Sequence, residues 1–227
     1  MYGVSKSTGI IGHWPLNGSH IAGTVARDVS RNGNDGVITV GAGGLTTGIH
    51  GEANGAYDFD GSATVITIAD TPILRPGTGN FTMSFWVKVP FTGSGNWSGL
   101  VSKGMTSSAT AHTWGFLRNG SSTNIINYQQ ATDIGGAYGA NLTTGVLTDG
   151  WHLILATRIG TTVSLYVDGA YYSQDATAGD DLSSDDSLKV GVDVAVNFSD
   201  VAISDVRFYS YALSAGQIAN LYQSYGV

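Results

Sequence analysis

A long stretch of alternating apolar and polar residues constrains the fold of this 227-residue chain more than any other feature. From Trp151 to Tyr172 the sequence reads WHLILATRIGTTVSLYVDGAYY, with apolar residues recurring at every second position on both sides of a Gly-Thr-Thr turn. The pair Asp168-Gly169 tolerates the positive φ angles of a two-residue type I′ turn. The stretch therefore predicts two antiparallel strands and the start of a third, each with one buried face and one wet face.

Other segments predict further strands and a helix. In residues 81–89, FTMSFWVKV, every second residue is apolar. Trp86 has the opposite parity, so we expect it to point away from that buried face, towards solvent, the second sheet or a ligand. Near the end of the chain, Ser214 and Gln217 form the S-x-x-Q pattern of a capping box, ahead of apolar residues at helical spacing. The sequence predicts a mostly β chain that closes with one short helix.

Composition agrees with one β domain and excludes several classes of function. The chain has 33 glycines, clustered with Asn, Ser and Thr between apolar runs, as is typical of turns. It carries 10 Lys plus Arg against 17 Asp plus Glu, a formal charge of −7. Because these cations are scattered singly, we expect no nucleic acid partner. With no cysteine, neither a disulfide nor a Cys-ligated zinc site can form.

Targeting signals are missing from the sequence as it stands. The first 14 residues, MYGVSKSTGIIGHW, lack the basic start, the apolar run and the cleavage site of a signal peptide. No stretch approaches the roughly 20 apolar residues that a membrane-spanning helix needs. We therefore expect no export by a general signal peptide and no membrane insertion.

The central hairpin also carries a family resemblance. Its order W-H-x-x-x-A-T, then G, then V-x-L-Y-V-D-G resembles the laminin-G-like domains of the concanavalin A-like lectin and glucanase superfamily. Further segments fit in the expected order: GIIGHWPLNG, DVSRNGNDG, YDFDGSATVITI, FTMSFWVKV, LVSKG and SDVRFYSYALSAGQIANLY. The resemblance implies an all-β, two-sheet antiparallel jelly-roll sandwich with one short C-terminal helix. We assign it to residues 9–227, after an N-terminal arm of residues 1–8.

One loop has the composition of a cation site. Residues 28–36, DVSRNGNDG, offer the carboxylate and amide oxygens that calcium prefers, although they do not match an EF-hand. The resemblance implies a structural calcium held by Asp28 and Asn34 with Asp205 from late in the chain; an ion-free Asx-rich turn is the alternative. Apolar parity slips at Ser204-Asp205, which predicts a β-bulge there.

Aromatic residues among amides point to a sugar site. An aromatic ring stacks on the apolar face of a pyranose while amides bind its hydroxyls. Trp97, Tyr128 and Tyr138 lie in the amide-rich segment between residues 90 and 149, and they are the candidate ligand-binding residues. Core packing is the alternative for Trp97 and Tyr138.

Catalysis is not expected. A glycosidase generally needs two carboxylates at the scissile bond, and the glucanase branch of the superfamily uses an E-x-D-x-x-E strand. This chain has a single glutamate, Glu52, so that pattern is absent. No G-x-S-x-G, H-E-x-x-H or P-loop motif occurs either.

These observations favour a non-catalytic carbohydrate-binding or adhesion module displayed on a larger assembly, at a virion or cell surface. The first alternative is a structural or decoration protein of a phage or virus particle that binds no sugar. The second is a glycoside hydrolase. The partners of this chain would be a glycan or other proteins of the assembly. A homo-oligomer fits both the binding module and the particle protein.

Overall fold

The structure of the protein, a computed structural model, describes residues 9–91, 97–104, 113–119, 124–131, 139–177, 181–193 and 197–227. The arm predicted for residues 1–8 lies outside the described residues. In chain order the strands are β1 Ile10–Trp14, β2 Ile21–Ala22, β3 Val25–Ala26, β4 Gly36–Thr39, β5 Gly44–Thr46, β6 Ala56–Asp60, β7 Val65–Ile68, β8 Phe81–Val89, β9 Gly99–Lys103, β10 Thr113–Arg118, β11 Ile126–Ala131, β12 Ala140–Thr143, β13 Gly150–Ile159, β14 Thr162–Val167, β15 Ala170–Ala176, β16 Leu188–Val190 and β17 Asp200–Tyr209. A short 3-10 helix spans Pro72–Leu74, and helix α1 spans Ala215–Gln223.

These strands form two sheets. Sheet A has the order β15-β14-β13-β8-β17-β6-β5, with β1 also paired to β17, and sheet B has the order β12-β11-β10-β9-β16-β7-β4-β3-β2. Every pairing within the described residues is antiparallel. The predicted two-sheet antiparallel sandwich is confirmed.

The antiparallel hairpin predicted between Trp151 and Tyr172 is present. Strand β13 pairs with β14, which pairs with β15. Asp168 has a φ of 51° and Gly169 a φ of 77°, the two positive values that a type I′ turn requires. Strand β15 forms one edge of sheet A.

The core lies between the two sheets. Sheet A supplies the alternate residues of β8, among them Phe81 and Phe85, and sheet B supplies aromatic rings from β10 and β11. The rings of Phe85 and Phe116 are 4.9 Å apart in an edge-to-face arrangement, and those of Trp114 and Phe208 are 5.4 Å apart. Each such side chain contributes on the order of 1.5–3 kcal/mol through burial.

Helix α1 covers part of the outer face of sheet A. Its capping box is present as predicted, since the Ser214 side chain accepts from the Gln217 backbone and the Gln217 side chain accepts from Ser214. Trp86 points away from the core, as expected, yet it is only 1% exposed. Tyr222 stacks on its ring at 5.8 Å, and Tyr225 meets it edge-on at 4.9 Å. No helix among the described residues is long and apolar enough to cross a bilayer.

Candidate binding cleft

A β-bulge in β17 sets the position of two surface loops. The register of β17 against β8 shifts between Ser204 and Arg207, which confirms the predicted bulge, and Asp205 within it has a φ of 50°. The Ser204 hydroxyl lies 3.2 Å from the carbonyl oxygen of Pro15 and 3.1 Å from that of Gly55. The bulge thus holds together residues 15–20 and residues 51–55, which are far apart in sequence.

A further backbone contact joins the two loops. The N–H of Gly18 donates to the carbonyl oxygen of Asn54 over 2.8 Å. Asn54 has a φ of 58°, in the left-handed region that asparagine tolerates better than most residues. The loops are therefore fixed by main-chain contacts, which leaves side chains free to face outward.

Between these loops and the edge strand β5 lies a cleft of about 450 Å³ that is open to solvent. It is lined by Asn17, Gly18, Ser19, Leu45, Glu52, Ala53, Asn54 and Gly55. Leu45, on β5, is 39% exposed and gives the cleft one apolar wall. The remaining side chains offer amide, hydroxyl and carboxylate groups. We call this set of residues the cleft.

The Glu52 side chain makes one backbone hydrogen bond and packs against two glycines. Its Oε2 accepts the N–H of His50 over 2.8 Å. Its Oε1 lies so close to Gly48 and Gly55 that a Cβ added at either glycine would come within 2.0 Å and 2.1 Å of it. Glycine at both positions therefore leaves the room that the carboxylate occupies.

Comparison with known families shows what kind of fold carries this cleft. The family model described as the concanavalin A-like lectin/glucanases superfamily matches residues 60–219, well over half of the chain. The chain belongs to the concanavalin A-like lectin/glucanases superfamily. A search of curated proteins finds no match.

Several solved structures with the same fold are named as binding domains. The chain is similar to the binding domain of Paraclostridial Mosquitocidal Protein 1 (TM-score 0.75, 14% identity, 96% of this chain and 52% of that one). It is also similar to the botulinum neurotoxin serotype D binding domain, with a TM-score of 0.71 and 18% identity over 95% of this chain and 51% of that one. The binding domain of botulinum neurotoxin DC in complex with SialylT gives a TM-score of 0.72 and 11% identity over 95% of this chain and 51% of that one. At these identities the likeness shows the jelly-roll fold alone. The superfamily member described here spans about half the length of each of these neighbours.

The cleft of this superfamily member offers binding groups but no pair of acids. Glu52 is the single ionisable side chain among the lining residues. Asp58 and Asp60, the acids nearest in sequence, do not line the cleft. Burial opposes ionisation of Asp60, but the N–H groups of residues 62–64 and Ala42 donate to it and hold its pKa well below the usual range. Asp60 therefore stays ionised and orders two loops, and it is unsuited to donating a proton.

The residues proposed for calcium lie beside the cleft and are already engaged. Oδ1 of Asp28 accepts the N–H groups of His13 and Ser30, and Oδ2 accepts that of Asn34. Asn34 Oδ1 accepts from the Thr71 hydroxyl over 3.0 Å. These bonds make residues 28–36 an ordered Asx-rich turn, and calcium at this turn stays a prediction.

Asp205 lies near Asp28, because His13 contacts both aspartates. Its Oδ1 lies 2.6 Å from Nε2 of His13, whose backbone N–H binds Asp28, and its Oδ2 lies 2.8 Å from Arg207. We call His13, Asp28, Asp205 and Arg207 the carboxylate junction. Each carboxylate oxygen faces an intramolecular nitrogen donor, and no group of three or more His, Cys, Asp or Glu side chains among the described residues could hold a metal ion. In this arrangement the donor set does not fit a calcium ion.

The three aromatic candidates have different outcomes. Tyr128 is 0% exposed, packs edge-on against Phe116 at 5.1 Å and bonds Gln130, so its assignment as a sugar platform is wrong and it belongs to the core. The alternation of side chains along β11 turns the Tyr128 ring inward. Its amide-rich neighbours in the sequence had suggested a polar surface instead. Trp97 is 43% exposed with a φ of 54°, and its role stays a prediction. Tyr138 lies outside the described residues.

The sequence pattern did not predict Glu52 as a binding residue, because a single glutamate bears only on the absence of a catalytic pair. The segment Gly48-Ile-His-Gly51-Glu52-Ala-Asn54-Gly55 carried a usable signal, since glycines surround the single glutamate of the chain. Glycines that leave room for a neighbouring side chain mark close approach of backbone and ligand-binding groups. The partner loop, residues 15–20, gave no comparable signal.

Proposed function

We propose that this chain is a non-catalytic carbohydrate-binding module whose ligand occupies the cleft. The observation that carries the proposal is a solvent-open cleft of about 450 Å³, lined by polar side chains on two loops that backbone contacts hold together. Its volume falls in the range of small-ligand sites. Amide and carboxylate groups bind sugar hydroxyls, while Leu45 provides an apolar wall for the C–H face of a ring.

Two further observations support binding rather than hydrolysis. The cleft holds one carboxylate, whereas glycoside hydrolysis generally needs two. The neighbours in structure are named as binding domains, which agrees with a module that recognises and does not transform its ligand.

Calorimetric titration with a panel of oligosaccharides tests the proposal. We expect binding that is weakened at least about tenfold, or 1.4 kcal/mol, in Asn54→Gly, since glycine keeps the positive φ of 58° while removing the amide. Trp97→Ala tests the second exposed candidate, which does not line the cleft. Loss of binding in Trp97→Ala with retention in Asn54→Gly would show that the ligand binds at Trp97 and not in the cleft. Absence of binding to every oligosaccharide of the panel would overturn the proposal.

We also propose that the module works as part of a larger assembly. The support is that the neighbours in structure are named as binding domains, which are parts of larger proteins. Light scattering separates the two settings expected from the sequence: a monomer in solution favours a tethered module, and a stable ring or trimer favours a component of a particle.

A further inference from the structure

The cleft has a single charge, and it is negative. Of the described residues that line it, Glu52 is the one acidic residue, and none is a lysine or an arginine. The whole chain carries a formal charge of −7, so no distant excess of cations offsets this local field. A carboxylate or sulfate on a ligand would therefore meet a like charge in the cleft.

The side chain of Glu52 is exposed, and its carboxylate has acceptor capacity that the fold does not use. One oxygen, Oε2, is used by the His50 N–H, while Oε1 has no hydrogen bond from the described residues and faces the glycine pair Gly48 and Gly55. A carboxylate accepts at both oxygens and has lone pairs to spare beyond one backbone contact. Vicinal hydroxyls of a sugar ring supply donors for this spare acceptor capacity.

The amides complete a pattern suited to hydroxyls. Asn17 Oδ1 accepts the N–H of Ser19 and lies 2.7 Å from Nδ1 of His20, which fixes the side chain. The lining therefore offers amide donors as well as a carboxylate acceptor, and hydroxyl groups both donate and accept. Acidic sugars instead need cations or clustered N–H donors, which the lining side chains do not supply.

We propose that the cleft selects uncharged glycans with vicinal hydroxyls, and that Glu52 sets this preference by accepting the hydroxyls and repelling carboxylated or sulfated sugars. This inference rests on the proposed function, and it specifies the class of ligand. Glu52 acts here as a specificity-determining residue, not as an acid or a base.

The test compares one oligosaccharide core with and without a terminal sialic acid. Calorimetry on the unmodified chain should give at least about tenfold tighter binding of the neutral form. In Glu52→Gln the two affinities should approach within about threefold, and in Glu52→Lys the preference should reverse.

A charge-matched control separates the local effect from net charge. Val37 is exposed on β4 of sheet B and does not line the cleft. Val37→Lys changes the net charge by the same one unit as Glu52→Gln, yet it should leave the preference unchanged. Urea unfolding of each variant checks that it folds.

Two outcomes overturn the inference. Tighter binding of the sialylated form by the unmodified chain would overturn it and leave the carbohydrate-binding function in place. An unchanged preference in both Glu52 variants would do the same. Absence of binding to either form would instead remove the proposed function, and this inference with it.

Discussion

The carboxylate junction and the cleft lie on either side of the same β-bulge, and they use polar side chains in opposite ways. In the junction, both oxygens of Asp28 and both oxygens of Asp205 face nitrogen donors of the chain itself. In the cleft, main-chain bonds and Ser204 hold the loops, and the Glu52 carboxylate makes one backbone contact. The junction therefore stabilises the fold, whereas the cleft remains available to a ligand.

This difference shows how acidic residues should be interpreted in such a chain. Asp28 and Asp205 have the composition of a metal site, but their hydrogen bonds are satisfied within the fold. Buried polar groups that are fully paired are costly to disturb, because the partner is left unsatisfied. An exposed carboxylate with spare acceptor capacity has little structural cost and is the better candidate for recognition.

The largest expected effect comes from breaking the junction. Asp205→Ala leaves Arg207 without its ion pair and His13 without its acceptor, so we expect a loss of about 3 kcal/mol in the free energy of unfolding. Asp205→Asn should lose less, because asparagine tolerates the φ of 50° and keeps hydrogen-bonding capacity. Urea denaturation measures both, and a loss below about 1 kcal/mol in Asp205→Ala would remove the contrast with the cleft.

A second variant perturbs the cleft while sparing the fold. In Gly55→Ala the new Cβ would come within 2.1 Å of Glu52 Oε1, so the flexible Glu52 side chain must move. We expect sugar affinity to fall about tenfold while the free energy of unfolding changes by less than about 1 kcal/mol. Calorimetry and urea denaturation on one preparation give both values. An unfolding change larger than the binding change would show that Glu52 supports the fold.

The other histidine-aspartate pair extends the comparison to pH. Nδ1 of His152 lies 2.7 Å from Asp168 and Nε2 lies 2.8 Å from the Thr148 carbonyl oxygen. The hydrogen bond to Asp168 raises the pKa of His152 above its ordinary value, outweighing burial. The native state then binds this proton more tightly, so the stabilisation is complete below about pH 6.5 and is lost as pH rises through the pKa of folded His152.

Urea unfolding at a series of pH values between about 6 and 8 measures this effect against the His152→Gln variant. The variant should show a flatter dependence of stability on pH. An equal slope in both proteins would assign the dependence to other groups.

The smallest expected effect is that of calcium. A bound ion at one hundred times its dissociation constant would stabilise the folded state by about 2.7 kcal/mol. Because the junction oxygens already face nitrogen donors, we expect calcium and EDTA to leave the melting temperature unchanged. A clear upward shift with calcium that Asp28→Ala abolishes would show that the junction rearranges to bind the ion.

Local patterns predicted much of this fold. The alternation around Trp151, the Asp168-Gly169 turn and the Ser214 capping box depend on neighbouring residues, and each appears as predicted. The bulge at Ser204-Asp205 was also visible, because a slip in parity is a local feature of one strand. Such features need no knowledge of what packs against them.

Other outcomes depended on contacts between distant segments. Trp86 was correctly expected on the outer face of β8, but only α1 decided that Tyr222 and Tyr225 would cover it. Tyr128 resembled a binding residue by its neighbours, and its register in β11 placed it in the core.

By itself, the sequence determined an antiparallel β sandwich with a closing helix, since hydrophobic periodicity specifies which face of each strand is buried. It also determined that the chain has a single glutamate and therefore no glutamate pair for catalysis. Only the tertiary structure decided that residues 15–20 and 51–55 meet across Ser204 to form the cleft. The physical reason is that this meeting depends on hydrogen bonds between segments far apart in the chain, and no local pattern records them.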